Sequence, residues 1–376
     1  MSWDPLIKLF RELSETSKLA FFLVFLGIFI VDAVWRILAW RSQKHLKKDF
    51  KRTEKQLQEV TKDRDQLQDR LLALDRVDVH VWKKPDQFAN NHFVPREQRQ
   101  TRFISLVNLK GGVGKTTLTL NLGVSLGLRD KRVLLVDLDF QGTLSNMALP
   151  RDLVNDYRNK GWTTDVLLKT NGGIPVQHLL FDVSDAGNCR AMIAREQLEL
   201  LEFERQSRFF VNPEQEARFL IQGALHVPEI FHHFDYVLFD CPPRMSTACI
   251  NALTCSDHVV VPSTLSQLDI EAVPRTLKWL HELHAVVRAS FLCVVVTRAR
   301  MRGDTLVSYE REQMDRLARF IKVHQPGEGF VLPYMVPESP KIHQLTAEGK
   351  AAALHSPEGR AWFGAIADEI ERRVRQ

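Results

Sequence analysis

The sequence predicts an α/β fold for residues 101–376, a mostly parallel sheet flanked by helices, preceded by a transmembrane helix and a long coiled-coil helix. Three observations support this prediction. From Phe103 onward, short apolar runs alternate with stretches of helical periodicity, which is typical of parallel strands joined by crossover helices. Residues 19–40 are almost uniformly apolar, and residues 46–74 repeat apolar side chains at alternating spacings of four and three.

The composition is that of a globular protein with a sizeable core. Hydrophobic residues make up 44% of the chain and charged residues 26%, so a full domain can be buried. The net charge of +5 is compatible with an anionic membrane surface, nucleic acid or a nucleotide, and it selects none of them. The five cysteines form no C-x-x-C pair, which argues against a zinc or iron–sulfur site and for reduced thiols in the cytosol.

Residues 19–40, LAFFLVFLGIFIVDAVWRILAW, are predicted to form the transmembrane helix. At ~1.5 Å per residue they span about 33 Å, which matches the hydrocarbon core of a bilayer. The two charges, Asp32 and Arg36, are four residues apart and can pair on one helix face. A buried core helix or an interfacial helix is the alternative. Basic residues crowd the C-terminal flank from Arg41 to Arg52, so we expect a single-pass protein of the inner (cytoplasmic) membrane with all later residues in the cytoplasm.

Residues 41–78 are predicted to form the coiled coil, because they carry a heptad pattern over about four heptads and contain no glycine or proline to interrupt a long helix. A self-associating stalk is one interpretation, and a single helix folded back on the downstream domain is the other. Residues 1–18 are an N-terminal segment, and residues 79–100, with Pro85 and Pro95, are expected to be a linker. The positions of the heptad seam are Leu46, Phe50, Thr53, Leu57, Val60, Arg64, Leu67, Leu71 and Leu74.

Six apolar runs after the linker are predicted to be strands. Several end in an acidic, polar or turn residue, and ligands bind beyond the carboxyl ends of the strands in this architecture. Those terminal residues are therefore the candidates for chemistry. The runs cover residues 103–108, 132–137, 236–240, 258–262, 291–297 and 330–336.

The loop after the first strand, NLKGGVGKTTLTLN (108–121), predicts a phosphate site. It nearly matches the pattern G-x-x-x-x-G-K-[ST], with Leu109 in place of the first glycine. Its glycines allow the backbone to curl and direct successive N–H groups at phosphate oxygens, and the helix that follows adds its positive dipole end. The predicted cradle is formed by Gly111, Gly112, Val113 and Gly114.

Three side chains at the start of that helix complete the predicted site. Lys115 is placed to neutralise charge on the β- and γ-phosphates, and the Thr116 hydroxyl is placed to ligate Mg²⁺. Thr117 is placed to hydrogen-bond a further phosphate.

Lys110 is not part of the ordinary phosphate-loop pattern, and it points to a more specific family of loops. The stretch KGGVGKTT resembles the loop K-G-G-x-G-K-[ST] of the ParA/MinD family of deviant Walker ATPases, and the resemblance extends over residues 101–376. It implies a P-loop NTPase fold of the deviant Walker type that binds ATP and Mg²⁺ and hydrolyses ATP. It further implies an ATP-dependent homodimer in which Lys110 reaches the phosphates of the partner's nucleotide, so that Lys110 and Lys115 both serve catalysis.

Further stretches resemble the same family. VLLVDLDFQGTLSN (133–146) resembles its switch segment, which implies that Asp139 orients the attacking water and that Asp137 supports the Mg²⁺ shell. DYVLFDCPPRMSTACINAL (235–253) resembles its Walker B strand, which implies that Asp240 holds Mg²⁺ through water. VLPYMVPESPKIHQLTAEGK (331–350) resembles the segment that wraps adenine, with Pro337 as the contact. Two positions depart from the family, because Phe140 replaces a proline and Arg244 replaces a serine.

The leading hypothesis is a membrane-anchored ATPase switch in which ATP closes a dimer, hydrolysis opens it, and an activating or cargo protein reads the state. One alternative is a bacterial tyrosine autokinase, although the last of the four tyrosines is Tyr334 and the tail is not tyrosine-rich. Another is an ATP-binding membrane scaffold with little turnover. Non-specific DNA binding stays open, because Arg298, Arg300 and Arg302 lie close together.

Overall fold

The computed structural model describes residues 82–83, 93–169, 174–211, 216–324 and 330–375, together with Trp35. The chain divides into two compact units, Met1–Ala73 and Leu74–Gln376. Of the first unit only Trp35 is described, as a helical and exposed residue. The predicted transmembrane helix (19–40), apart from Trp35, and the predicted coiled coil (41–78) therefore lie outside the described residues. Within the described part of the chain, no helix combines the length and the apolar character needed to span a bilayer.

The second unit is built on a seven-stranded sheet with the order β3-β4-β2-β5-β1-β6-β7. Neighbouring strands are parallel except for β3, which runs antiparallel to β4 at one edge. A separate antiparallel hairpin pairs β8 with β9. The strands are β1 (Arg102–Leu106), β2 (Val133–Asp137), β3 (Phe181–Asp182), β4 (Cys189–Met192), β5 (Tyr236–Asp240), β6 (His258–Ser263), β7 (Ser290–Val296), β8 (Met301–Arg302) and β9 (Thr305–Leu306).

Helices cover both faces of the sheet, as parallel strands require because each connection must cross back over the sheet. Short 3₁₀ helices span Arg96–Gln98, Thr164–Leu168 and Val176–Leu179. The α-helices of the described residues are α1 (Lys115–Gly127), α2 (Thr143–Ala148), α3 (Arg151–Lys160), α4 (Gln197–Val211), α5 (Leu220–Leu225), α6 (Pro228–His233), α7 (Thr247–Cys255), α8 (Gln267–Glu282), α9 (Ser308–His324), α10 (Pro340–Ala347), α11 (Ala352–His355) and α12 (Pro357–Val374).

Two hydrophobic cores lie on opposite faces of the sheet. Successive strand side chains point to opposite faces, so Leu134 and Val136 enter one core while Val133 and Leu135 enter the other. The first core is closed by α4, α5, α7, α8 and α9, and the second by α1, α10 and α12. Strands β1, β2, β5, β6 and β7 are buried on both faces along nearly their whole length, which explains why they appear in the sequence as continuous apolar runs.

Five of the six predicted strands are confirmed within a residue or two, and the sixth is wrong. Residues 330–336 form only one isolated parallel bridge, Val331 with Val294, and a second one, Pro337 with Ala299, follows directly after them. Pro333 interrupts this segment, and proline has no N–H with which to continue a ladder. The edge strand β3 and its neighbour β4 were not predicted, because they are short and lack a clear apolar run.

Residues 93–100, the described end of the predicted linker, belong to the second unit and pack beside the start of β6. The buried Arg99 guanidinium donates two hydrogen bonds to the Asp257 carboxylate, at 2.9 and 2.6 Å. Asp257 also accepts from the Phe103 backbone N–H at 2.9 Å. Asp257 immediately precedes β6, so this pair fixes the chain leading into β1 beside the start of the neighbouring strand.

Candidate functional site

The glycine loop lies between β1 and α1, at the carboxyl edge of the central strand. Gly112 and Gly114 have φ angles of 78° and 79°, in the left-handed region where a side chain costs about 1–2 kcal/mol. Gly111 is exposed at the rim, while Val113 is buried and its carbonyl accepts a 2.7 Å hydrogen bond from Thr297 Oγ1. The loop therefore has the alternating backbone of an anion-binding nest, and the end of β7 holds it in place.

Asn108 organises the base of the loop and was missed in the sequence. It is fully buried; its side-chain N–H donates to the Pro262 carbonyl at 2.8 Å and its Oδ1 accepts from the Lys110 backbone N–H at 2.9 Å. The one indication of its role in the sequence was that a polar residue stands at the end of an apolar strand. Asn108 therefore ties the loop to β6.

The Lys115 side chain lies inside the loop. Its ammonium donates 3.0 Å hydrogen bonds to the carbonyls of Asn108 and Lys110, and only 7% of the residue is exposed. Burial lowers the pKa of Lys115, while the nearby Asp240 carboxylate acts in the opposite direction. The predicted cation is thus at the centre of the cradle.

Lys110 differs from Lys115 in its surroundings. Its backbone is fixed by the Asn108 contact, and its side chain is half-buried at the edge of the loop. Among the residues that the structure describes, its ammonium has neither an acidic partner nor a hydrogen-bond acceptor. The second lysine is therefore held beside the cradle with its charge uncompensated by the described residues.

Two buried carboxylates lie side by side at the ends of β2 and β5, where Asp137 is in register with Asp240. Asp137 accepts hydrogen bonds from the Ser145 backbone N–H at 2.8 Å and from its hydroxyl at 2.6 Å. Burial raises the pKa of Asp137 to about 6. Burial also raises the pKa of Asp240 to about 8, and the Asp137 charge adds to that rise. Ser145, which holds Asp137, was not identified in the sequence.

The chemistry of these groups fits a magnesium ion. Asp240 Oδ2 is buried without a hydrogen-bond partner, and its other oxygen is 3.5 Å from the Thr119 hydroxyl. The Thr116 hydroxyl also interacts with Asp240 and opposes the rise of its pKa. The described residues contain no group of three metal-ligating side chains. Mg²⁺ is bound through one or two carboxylates together with phosphates and water, and the unpartnered Asp240 oxygen beside the Thr116 hydroxyl fits that kind of site.

Asp139 lies two residues beyond Asp137, in the turn that leads to α2. It is half-buried, and its Oδ1 accepts a 3.0 Å hydrogen bond from the Gln141 N–H, while its own N–H donates to Asp137. The structure thus brings Asp137, Asp139 and Asp240 to the loop that carries Lys115. Their individual roles stay predictions.

A mostly apolar cavity adjoins the loop, with Gly114 in its lining. Thr117 and Pro337 both line it, which places the predicted adenine contact beside the predicted phosphate contact. The basic loop after β7 contributes Arg298, whose Nη1 is 3.5 Å from the Gly112 carbonyl. Other lining residues are Leu118, Thr297, Val336, Ser339, Ile342, His343, Thr346 and Phe363.

The two departures from the family motifs contact each other. The Arg244 guanidinium lies over the Phe140 ring, 5.1 Å from its centroid. Arg244 also forms ion pairs with Glu202 at 2.8 Å and Glu199 at 3.3 Å, both on α4. Phe140 and Arg244 therefore connect the segment after β2 to the segment after β5, through a contact that proline and serine cannot form.

A glycine loop between strand and helix, with carboxylates at the ends of adjacent parallel strands, defines a P-loop nucleoside triphosphatase. Residues 101–292, just over half of the chain, match the family model described as AAA domain, and the chain belongs to this family. It is a ParA/MinD-like P-loop ATPase, which confirms the resemblance drawn from KGGVGKTT.

Relatives and solved structures agree with this assignment. The chromosome partitioning protein ParA of Caulobacter vibrioides is 25% identical over 263 residues, which cover 68% of this chain and 87% of that protein. The cell division ATPase MinD of Pyrococcus furiosus superposes with a TM-score of 0.52 at 25% identity, covering 72% of this chain and 98% of MinD. McdA of Cyanothece in complex with ATP gives a TM-score of 0.55 at 17% identity, covering 73% and 97%. The McdA similarity concerns the fold alone.

Proposed function

We propose that this protein is a membrane-anchored ATPase switch that positions or regulates a partner or cargo. ATP closes a homodimer of the second unit, hydrolysis opens it, and an activating or cargo protein recognises the closed form. Residues 19–40 anchor the chain in the inner (cytoplasmic) membrane, with the ATPase unit in the cytoplasm.

The observation that carries the proposal is the position of Lys110. Lys115 is satisfied by two carbonyls of its own loop, whereas Lys110, five residues earlier, has no counter-charge among the described residues. Because the Lys110 ammonium at the rim of the phosphate cradle has no counter-charge among the described residues, we infer that it pairs with an anion from outside the protomer. The phosphates of a second protomer's ATP supply that anion, and the closed dimer brings them within reach.

We infer ATP with Mg²⁺ as the bound species. Asp240 and Thr116 would hold the ion together with the phosphates, and Asp137, oriented by the hydrogen bonds that it accepts from Ser145, would support the ion's shell. When bound, the ion supplies positive charge to the β- and γ-phosphates. Asp139 orients the attacking water, Lys115 neutralises phosphate charge from within the loop, and Lys110 does so from the other protomer.

Sedimentation of residues 74–376, a compact unit, tests the switch without the predicted coiled coil. The Asp139→Ala variant should bind Mg-ATP, fail to hydrolyse it, and sediment as a dimer. Adding Lys110→Ala to this variant should return it to a monomer while ATP binding is kept. Lys115→Ala alone should bind no ATP and stay monomeric.

Lys278→Ala is the matched control, because Lys278 is an exposed lysine on α8, outside the site. It should leave both hydrolysis and sedimentation unchanged. A monomeric Asp139→Ala variant with ATP bound would contradict the dimer switch. Hydrolysis at background level in the unmodified protein would favour the scaffold alternative.

Membrane anchoring is tested separately on the full chain. We expect the protein in the membrane fraction after an alkaline carbonate wash, and a variant lacking residues 19–40 in the supernatant. Protease added to sealed inverted vesicles should cleave the ATPase unit, since that unit faces outward in such vesicles. Protection of the unit would reverse the proposed orientation.

A further inference from the structure

Trp82 is the first buried side chain, in chain order, among the residues that the structure describes. It is 0% exposed, and its indole stacks on the Phe209 ring of α4 with centroids 5.5 Å apart and planes 15° apart. Its backbone carbonyl accepts a 3.2 Å hydrogen bond from the buried Arg218, whose guanidinium also lies over Phe209. The chain that follows the predicted stalk is therefore fixed in the first hydrophobic core.

The indole also makes one polar contact, to the loop after the Walker B strand. Trp82 Nε1 donates a 3.3 Å hydrogen bond to the carbonyl of Met245. Met245 lies in residues 241–246, which join Asp240 to the start of α7. Asp240 ends β5 and directly precedes residues 241–246, so this hydrogen bond restrains the chain that leaves the carboxylate predicted to hold Mg²⁺.

Glu202 of α4 also forms hydrogen bonds with residues 244–248, which overlap the same loop. Its buried carboxylate accepts hydrogen bonds from the Ser246 hydroxyl, from the Ala248 N–H at 2.9 Å and from Arg244 at 2.8 Å. Trp82 stacks on Phe209 of the same helix. The hydrogen bond from Trp82 to Met245 and those from residues 244–248 to Glu202 therefore hold residues 244–248 together; we call this set of contacts the clamp.

The clamp continues to the segment that carries Asp139. Arg244, held by Glu202, lies over the ring of Phe140, the residue next to Asp139. A continuous set of contacts thus runs from Trp82 through Met245 and Arg244 to Phe140. None of these residues is itself part of the predicted phosphate cradle.

We propose that Trp82 is a positioning residue for ATP hydrolysis. Its hydrogen bond to Met245 fixes the loop after Asp240, and through Arg244 and Phe140 it fixes the segment that bears Asp139. The N-terminal region thereby influences the rate of hydrolysis through one side chain. This goes beyond the ATPase switch, which requires no contribution from residues before the glycine loop.

The test replaces Trp82 in the full-length, detergent-solubilised protein. Trp82→Phe keeps an aromatic ring against Phe209 and removes the N–H donor. Loss of one hydrogen bond that holds a reacting geometry should lower kcat by between about twofold and tenfold. KM for ATP should stay within about twofold, because no contact of the phosphate loop changes. Hydrogen exchange at residues 241–249 should become faster.

Trp279→Phe is the matched control. Trp279 belongs to the same hydrophobic core, and no polar contact of its indole is recorded among the described residues. It should cause a comparable loss of thermal stability and leave kcat unchanged. An equal kcat in Trp82→Phe and Trp279→Phe would overturn the proposal and leave Trp82 as a packing residue.

A shape-preserving replacement keeps the test decisive if Trp82→Phe fails to fold. Incorporating β-(3-benzothienyl)alanine at position 82 exchanges the indole N–H for sulfur and preserves the bicyclic shape. The proposal requires the same fall in kcat for this protein. An unchanged kcat would refute it, since the packing would be intact and only the hydrogen bond lost.

Discussion

Replacing Asp240 by asparagine should remove a pH dependence from the stability of the nucleotide-free protein. Burial raises the pKa of Asp240 to about 8, whereas an aspartate in an unfolded chain titrates near pH ~3.9. Between these values the folded state binds one more proton than the unfolded state. Stability conferred on the folded state by this group is therefore present at low pH and is lost as pH rises.

The magnitude follows from that single proton. Over the interval from about pH 6.5 to 7.5 the group contributes a loss of about 1.4 kcal/mol in the free energy of unfolding. Burial lowers the pKa values of His226 and His258 to about 4, whereas a histidine in an unfolded chain titrates near pH ~6.5. These two groups therefore raise the free energy of unfolding by roughly 0.7 kcal/mol over the same interval, equally in both proteins, so their effect cancels in the comparison. Asp137, with a pKa of about 6, is already largely deprotonated at pH 6.5 and adds little.

Guanidinium chloride unfolding of residues 74–376 at the two pH values provides the measurement. The unmodified protein should lose stability between them, and Asp240→Asn should lose about 1.4 kcal/mol less. Mg²⁺ with ATP should suppress the slope of the unmodified protein, because the cation favours the carboxylate. Parallel slopes for the two proteins would refute the assignment of Asp240 as the buried, cation-seeking carboxyl.

Three further predictions concern other parts of the structure. Gly114→Ala places a side chain at φ 79° and should cost about 1–2 kcal/mol by denaturant unfolding, with ATP binding weakened as well. Arg244→Ser and Phe140→Pro, measured singly and together, should show a coupling of about 0.5–1 kcal/mol if the cation–π contact operates in solution. Arg99→Met leaves the buried Asp257 charge without its partner and should cost about 3–5 kcal/mol, a loss that Asp257→Asn in the same chain should partly restore.

The central strands and the site were predictable because both depend on local chemistry. β1, β2, β5, β6 and β7 are buried on both faces, so each is a continuous apolar run. The glycine loop needs left-handed backbone at Gly112 and Gly114, and glycine adopts it readily. The candidates Lys115, Asp137 and Asp240 lie together because parallel strands present their carboxyl ends at one edge.

What was missed depends on contacts between distant residues. Asn108 anchors the loop to Pro262, which is 154 positions away in the chain. Ser145 satisfies Asp137 from the start of another helix. Asn108 had only one indication in the sequence, a polar residue at the end of an apolar strand, and Ser145 had none, so neither contact could be read from local pattern. The prediction of a strand at 330–336 was wrong for a related reason. Its apolar run has the composition of a strand, and only Pro333 indicates that it does not pair along its length.

Within the described structure, the charged groups of the site divide into those that are satisfied and those that are not. Lys115 is bound by carbonyls of its own loop and Asp137 by Ser145, whereas Asp240 Oδ2 and the Lys110 ammonium have no such partner there. The two unsatisfied groups differ in sign and position, so one ligand atom cannot serve both. Asp240 needs a cation, and Lys110 needs an anion beyond the rim of its own cradle. Nucleotide binding and dimer closure should therefore be separable, since Lys110→Ala removes the second requirement and leaves the first intact.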